Sequence, residues 1–281
     1  MKISAKKFFL LFVSILLINL VLCTPARNYR SPHGPKFSGS FVQSVPSIKD
    51  SIKVISFNLK FSRQIKQAIK EFRNFSDLHG ADIILLQEMD ESGTDSIAKI
   101  LHYNYIYFPA TLHPQSHRNF GNSILSKWPL TEEKKIILPF EPAIGRTQRI
   151  AVGATVIVND YKIRIYSTHL ATVVLSEEKR LLQADSLLKS IPEDYKYVIV
   201  GGDFNSVFAK NIRDIEEIFQ ANHFYRASKN AGYTVKKGPF ELTLDHLFVK
   251  NFKTLNAGTH STEASDHRPL WVILKPESIL K

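Results

Sequence analysis

The chain has 281 residues, 44% of them hydrophobic and 22% charged, which excludes fibrous and disordered classes and suffices for one domain with a substantial core. A formal charge of +11 favours anionic partners, nucleic acid or an anionic lipid surface, without choosing between them, and serves plain solubility equally well. The single cysteine, Cys23, excludes an intramolecular disulfide and any cysteine-built metal cluster.

Lys2, Lys6 and Lys7 precede a run from Phe8 to Leu22 that is apolar except for Ser14 and Asn19, so residues 1–23 read as a signal peptide or membrane anchor. Cleavage, retention and acylation at Cys23 all stay open. Loss of this segment takes the formal charge from +11 to +8, so the basic excess belongs to the rest of the chain. Residues 24–50, with Pro25, Pro32, Pro35 and Pro46, read as an irregular linker, and residues 51–281 as the catalytic domain. Lys53 to Phe57 is predicted as a strand, and Ile65, Ile69, Phe72 and Phe75 recur at helical spacing. Strands are expected from Ala81 to Leu86, Tyr103 to Phe108, Ser123 to Ser126 and Glu133 to Leu138. Ile150 to Val158 and Ile163 to Thr168 flank Asn159-Asp160-Tyr161, a hairpin composition. Glu177 to Leu188 reads as a helix, with two acids in its first turn; Tyr197 to Val200, Leu242 to Val249 and Leu270 to Leu274 complete the strands. Many strands, some hairpin-linked, and few helices imply two packed sheets with helices outside.

Each apolar strand run ends in a polar residue suited to chemistry: Asn58, Glu88, His169, and Asp203 with Asn205. Asp245 interrupts a strand-like run, and Asp266-His267 precedes the last strand. Any one of these could be a turn or capping residue; several converging strand ends would make a rigid platform for a site. Carboxylate and amide oxygens are hard ligands for Mg²⁺ or Mn²⁺, and such a cation suits phosphate chemistry.

The ordered motifs Ser-Phe-Asn at 56–58, Leu-Gln-Glu at 86–88, Gly-Asn-Ser-Ile-Leu-Ser at 121–126, Ser-Thr-His-Leu at 167–170, Gly-Gly-Asp-Phe-Asn at 201–205, Leu-Asp-His at 244–246 and Ser-Asp-His-Arg-Pro at 265–269 run through residues 52–275. In that order they resemble the endonuclease/exonuclease/phosphatase superfamily. The resemblance implies a four-layer α/β sandwich with two central mixed β-sheets flanked by helices. It makes Glu88 the principal ligand of a divalent metal, Mg²⁺ or Mn²⁺, with Asn58 and Asp266 nearby. Asp203 would orient or deprotonate water, Asn205 would donate to a phosphate oxygen, and His169 and His267 would flank the scissile phosphate, with Asp245 holding His267. Arg118 and Arg149 match positions that bind phosphate in some relatives. His246, beside Asp245, is disfavoured for a catalytic role, since many relatives carry an aromatic or bulky residue there.

The expected activity is therefore metal-dependent hydrolysis of a phosphodiester, with nucleic acid favoured as substrate. A sphingomyelinase-like phospholipid phosphodiesterase and a phosphomonoesterase remain alternatives, the first kept open by the apolar region from 136 to 144. A non-catalytic nucleic-acid or partner-binding role is disfavoured because the polar set is complete. Tyr103, Tyr105, Tyr107 and Phe108 fit base stacking and ordinary strand packing equally. Export in secreted, periplasmic or membrane-anchored form is expected from the leader, with membrane association open and no obligate protein partner inferred.

Overall fold

A computed structural model describes residues 26–44, 46, 50–114, 116–143 and 145–277; the expected leader over 1–23 lies outside them. The chain first lays down β1 (Arg27–Asn28), β2 (Phe37–Ser40), β3 (Ile52–Asn58), helix α1 (Ile65–Asn74), β4 (Ile83–Met89), helix α2 (Glu91–Leu101), β5 (Asn104–Leu112) and β6 (Asn119–Ser126). Next come β7 (Thr131–Ile137), β8 (Ile150–Val158), β9 (Tyr161–His169), α3 (Glu177–Lys189), β10 (Tyr197–Asp203), α4 (Ala209–Ala221) and β11 (Tyr225–Arg226). The hairpin β12 (Val235–Lys237) and β13 (Phe240–Leu242) leads into β14 (Asp245–Lys250), β15 (Phe252–Thr259) and β16 (Leu270–Pro276).

One sheet has the order β1-β5-β6-β4-β3-β16-β15, with β2 also on β5; the other runs β11-β14-β10-β9-β8-β7. Both are mixed: β3 pairs parallel with β4, and β9 parallel with β10, among antiparallel neighbours. Alternation of side chains along each strand assigns the layers. Val54, Ile83 and Leu85 of the first sheet meet Val152, Ile199 and Leu247 of the second in the central core. On the opposite faces, Ile55 and Phe57 pack on Ala68 and Phe72 of α1 and Ile97 of α2, while Val198 and Val200 pack on Leu187 of α3 and Phe219 of α4. The result is the four-layer α/β sandwich the sequence implied.

Several features depart from the sequence reading. The stretch read as an irregular linker contributes β1 and β2 to the first sheet, and Tyr29 there donates to Asn119 (2.9 Å). Among the described residues, Pro32, Pro35 and Pro46 lie outside both short strands, so none interrupts the ladder. Helix α2 was not anticipated: its buried face is Gly93, Thr94, Ile97 and Ala98, too polar to stand out, and Asp90 caps it by accepting from Gly93 N (2.7 Å). The strand expected from Leu242 to Val249 breaks at Thr243-Leu244, where Leu244 N turns to Thr234 Oγ1 (3.0 Å). The tyrosines of β5 are strand packing: Tyr107 is fully buried and donates to Met89 O (2.9 Å).

Candidate active site

Strand register brings the polar residues together before any side-chain contact is considered. His169 at the end of β9 lies opposite Asp203 on β10, and Asp245, the first residue of β14, lies opposite Asp203 on the other side. The approach of β9 to β10 requires glycine at 202, since a Cβ there would sit 1.9 Å from Thr168 O. On the facing sheet, Asn58 ends β3 beside Gln87 of β4. Asn58 Nδ2 donates to Asp203 Oδ2 (3.0 Å), so one hydrogen bond ties the ends of the two sheets.

Glu88 follows a break in register between Leu86 and Met89, and its backbone is left-handed, φ 59°. Such a bulge re-aims a side chain that plain alternation would send elsewhere. Its carboxylate accepts a hydrogen bond from Asn58 and feels the charges of Arg149, His267 and Asp266. Asn205 is likewise left-handed, φ 51°, with its N–H donating to Asp203 Oδ1 (2.9 Å) and its amide to Leu170 O (3.0 Å).

The protonation states differ sharply within this small volume. Burial pushes Asp203 up to about 7, against the opposing pull of His267. For His267 burial favours the neutral ring, but Asp245 (Nδ1 to Oδ2, 2.8 Å) and Asp203 outweigh it and raise the imidazole to about 10. His169 goes the other way: buried and beside the Arg149 guanidinium (3.0 Å), it is held well below its usual range and is neutral. Glu88 is raised by burial, and the nearby Asp266 adds to the shift.

Glu88, raised by burial with Asp266 adding, and Asp266, which burial would raise but Lys60 and His267 hold below its usual range, form with the Asn58 amide oxygen a hard donor set of the kind a divalent cation takes. Among the described residues, the cluster whose ligand atoms lie within 4.8 Å of one another is Asp203, Asp245 and His267. There the cationic imidazole is buried against both acids, whereas the cation paired with Asp266 is the solvent-exposed Lys60, which a metal can displace, and this favours the Glu88 side.

Of the residues expected from sequence, Asn58, Glu88, His169, Asp203, Asn205, Asp245, Asp266, His267 and Arg149 converge. Arg118 does not join them. Its guanidinium pairs with Asp90, the cap of α2, and reaches Ser92 Oγ (3.4 Å). His246 is fully buried on the other face of β14, bonded to Ser206 Oγ (2.6 Å) between Phe204 and Phe248, outside the cluster as expected. Two participants went unrecognised in the sequence. Lys60 Nζ pairs with Asp266 (3.0 Å), and the buried Arg180 of α3 donates to Asn205 O (2.6 Å), fixing the turn that aims Asn205. Neither stands next to a motif residue of its own strand, so only the tertiary fold reveals it.

The model of the Endonuclease/Exonuclease/phosphatase family matches residues 55–267. The chain belongs to this family. Its members are phosphoesterases. The fold is shared with an endonuclease/exonuclease/phosphatase from Beutenbergia cavernae (TM-score 0.67, 17% identity, 82% of this chain and 72% of that one). It is also shared with D. rerio TDP2 complexed with single strand DNA product (TM-score 0.64, 16% identity, 81% and 100%) and with ANGEL2, a 2',3'-cyclic phosphatase (TM-score 0.64, 17% identity, 81% and 96%). No curated protein matches by sequence.

Proposed function

We propose that this chain hydrolyses phosphodiester bonds in nucleic acid with the help of a divalent cation, Mg²⁺ or Mn²⁺, held by Glu88, Asn58 and Asp266. The observation that carries this reading is the buried Asp203 carboxylate, ringed by Asn58, Asn205 N–H, His169 and the charged His267. When bound, the cation supplies Lewis acidity that offsets charge growing on the phosphoryl oxygens. Asp203, raised to about 7, is tuned to take a proton from water near neutrality. Asn58 and the Asn205 backbone hold its carboxylate in a fixed orientation. His267, kept cationic by Asp245, donates to a phosphate oxygen and can release its proton to the departing oxygen. His169 acts as a neutral donor, and Arg149 places a buried positive charge behind it. Nucleic acid is favoured by the basic balance and by TDP2, of the same fold, whose structure holds a single-strand DNA product.

The test is a parallel assay on single- and double-stranded DNA, RNA, sphingomyelin vesicles and inositol phosphates, with and without divalent cation. Cleavage of nucleic acid alone is expected, reduced on the order of 10²-fold by Glu88→Gln with the fold retained. Turnover confined to lipid or inositol phosphate, or equal turnover by Glu88→Gln, would refute the assignment. We also propose that the leader over residues 1–23 exports this activity. Mass measurement of the mature N-terminus with cell fractionation checks it, and an intact leader in soluble cytoplasm would count against it.

A further inference from the structure

Beyond Asn58 and the buried Leu59, three consecutive residues, Lys60, Phe61 and Ser62, adopt left-handed backbone with φ of 42°, 60° and 53°. Residues other than glycine lose about 1–2 kcal/mol each in that region, and such strain collects at functional positions. Lys60 and Ser62 offset it through Asp266 (3.0 Å) and through Asp90 N, which donates to Ser62 Oγ (3.0 Å). Between them Phe61 is carried out beside the site, only half-buried.

The rings then form a continuous path. Phe120 lies 5.9 Å from the His169 ring, with Arg149 over it at 5.4 Å; Phe61 lies 5.3 Å from Phe120, and His113 4.8 Å from Phe61, edge to face. Phe120 is buried, whereas Phe61 and His113 border a recess of about 230 Å³ completed by Arg63, Ser116 and Arg118. That is below the roughly 300–1,000 Å³ typical of drug-sized ligands and suits one planar ring system. Burial, with Arg149 and Arg63 adding, keeps His113 below its usual range, so its ring is a neutral π surface. Among the described residues no aliphatic side chain lines it, and the cations at its rim suit phosphates on either side of a base.

We propose that Phe61 and His113, backed by the buried Phe120, stack one unpaired nucleobase next to the scissile phosphate, with Arg63 at the rim. This rests on the nuclease reading above and adds that the substrate strand is single-stranded at that nucleotide. Stacking is tolerant of base identity, so the site selects an unpaired base rather than a sequence.

The full chain carrying Glu88→Gln, kept free of divalent cation so that the substrate is not turned over, is titrated with single-stranded oligonucleotides containing 2-aminopurine, whose fluorescence is quenched on stacking. In parallel, the cleaving protein is given oligonucleotides in which a base-free spacer is scanned through the positions flanking the cut. Quenching is expected, lost with Phe61→Leu and restored with Phe61→Trp. The spacer at one flanking position should lower kcat/KM about tenfold, and Phe61→Leu should bring that discrimination towards one. If nucleic acid is cut but the spacer is indifferent at every position, or Phe61→Leu discriminates like the parent, the stacking site is wrong and the nuclease reading stands. If oligonucleotides are neither bound nor cut while another phosphoester is, both fall.

Discussion

His267 sits between two carboxylates, and the acid that holds it is itself fully buried, so its charge depends on Asp245 more than on solvent. With Asp203 near 7 and His267 near 10, the base must lose its proton and the imidazole keep its own between those values. The pH–rate profile should therefore be a bell whose lower limb a bound cation draws further down. Asp245→Asn removes the main influence holding His267 charged, so its basic limb should move to lower pH with kcat/KM reduced; coincident profiles would leave Asp245 a packing residue. His246 offers an independent titration away from the chemistry. Burial, then Arg226, pushes it down to about 3, whereas the unfolded chain binds a proton near 6.5. The unfolded state alone is protonated in between, so stability contributed by neutral His246 is lost as pH falls from about 6.5 towards 3. His246→Phe, flanked by Phe204 and Phe248, should flatten that loss in urea unfolding measured across the window. At this scale the sequence was most informative where a polar residue closed an apolar strand, because strand ends are rigid and register aligns them. It was least informative for Arg118, Lys60 and Arg180, whose long side chains choose partners through space. Arg118 and Arg149 look equivalent in the chain, yet one is committed to a helix cap and the other is buried behind His169.

Turns at the ends of elements do the aiming: the bulge at Glu88, the left-handed Asn205 and the strained run after β3 each depart from regular geometry where the site needs it. Gly202 marks the opposite requirement, close approach of two strands. Gly202→Ala would drive a methyl group against Thr168 backbone in mid-sheet and should destabilise by about 3 kcal/mol or more. Gly238 is also left-handed, φ 58°, but faces open space, so Gly238→Ala should cost only about 1 kcal/mol. Thermal or chemical melts of the two variants separate steric clash from backbone preference, and equal losses would refute the close-approach argument. Elements with a clear period were legible: β8 and β9 form the hairpin that Asn159-Asp160 announced, and α1 uses the stripe containing Ile69 and Phe72. Those missed lacked such a signal. Helix α4 buries only Asn211, Ile215 and Phe219, and β15, at the end of its sheet, buries only Phe252, so neither imposes a strong hydrophobic pattern.

Across the whole molecule, the site exists only because two sheets dock with their polar strand ends on the same side, linked by Asn58 and Asp203. The composition could not show this, but the order of motifs did, since each motif ends or begins a strand of one sheet or the other. Charge acts at the same scale. The excess of +8 that remains without residues 1–23 would concentrate a polyanion near the cluster, and Arg63 and Arg118 extend that field along the aromatic recess. Binding of single-stranded DNA to the Glu88→Gln chain should weaken linearly in log Kobs against log salt, by about 0.7 for each phosphate neutralised. Arg63 is exposed and has no part in the catalytic cluster, so Arg63→Gln should flatten that slope by roughly 0.7 while preserving the fold. Fluorescence anisotropy at a series of salt concentrations measures both slopes. A salt-independent affinity would mean that base stacking or another contact dominates, and an unchanged slope for Arg63→Gln would place the bound strand on a different face of the domain.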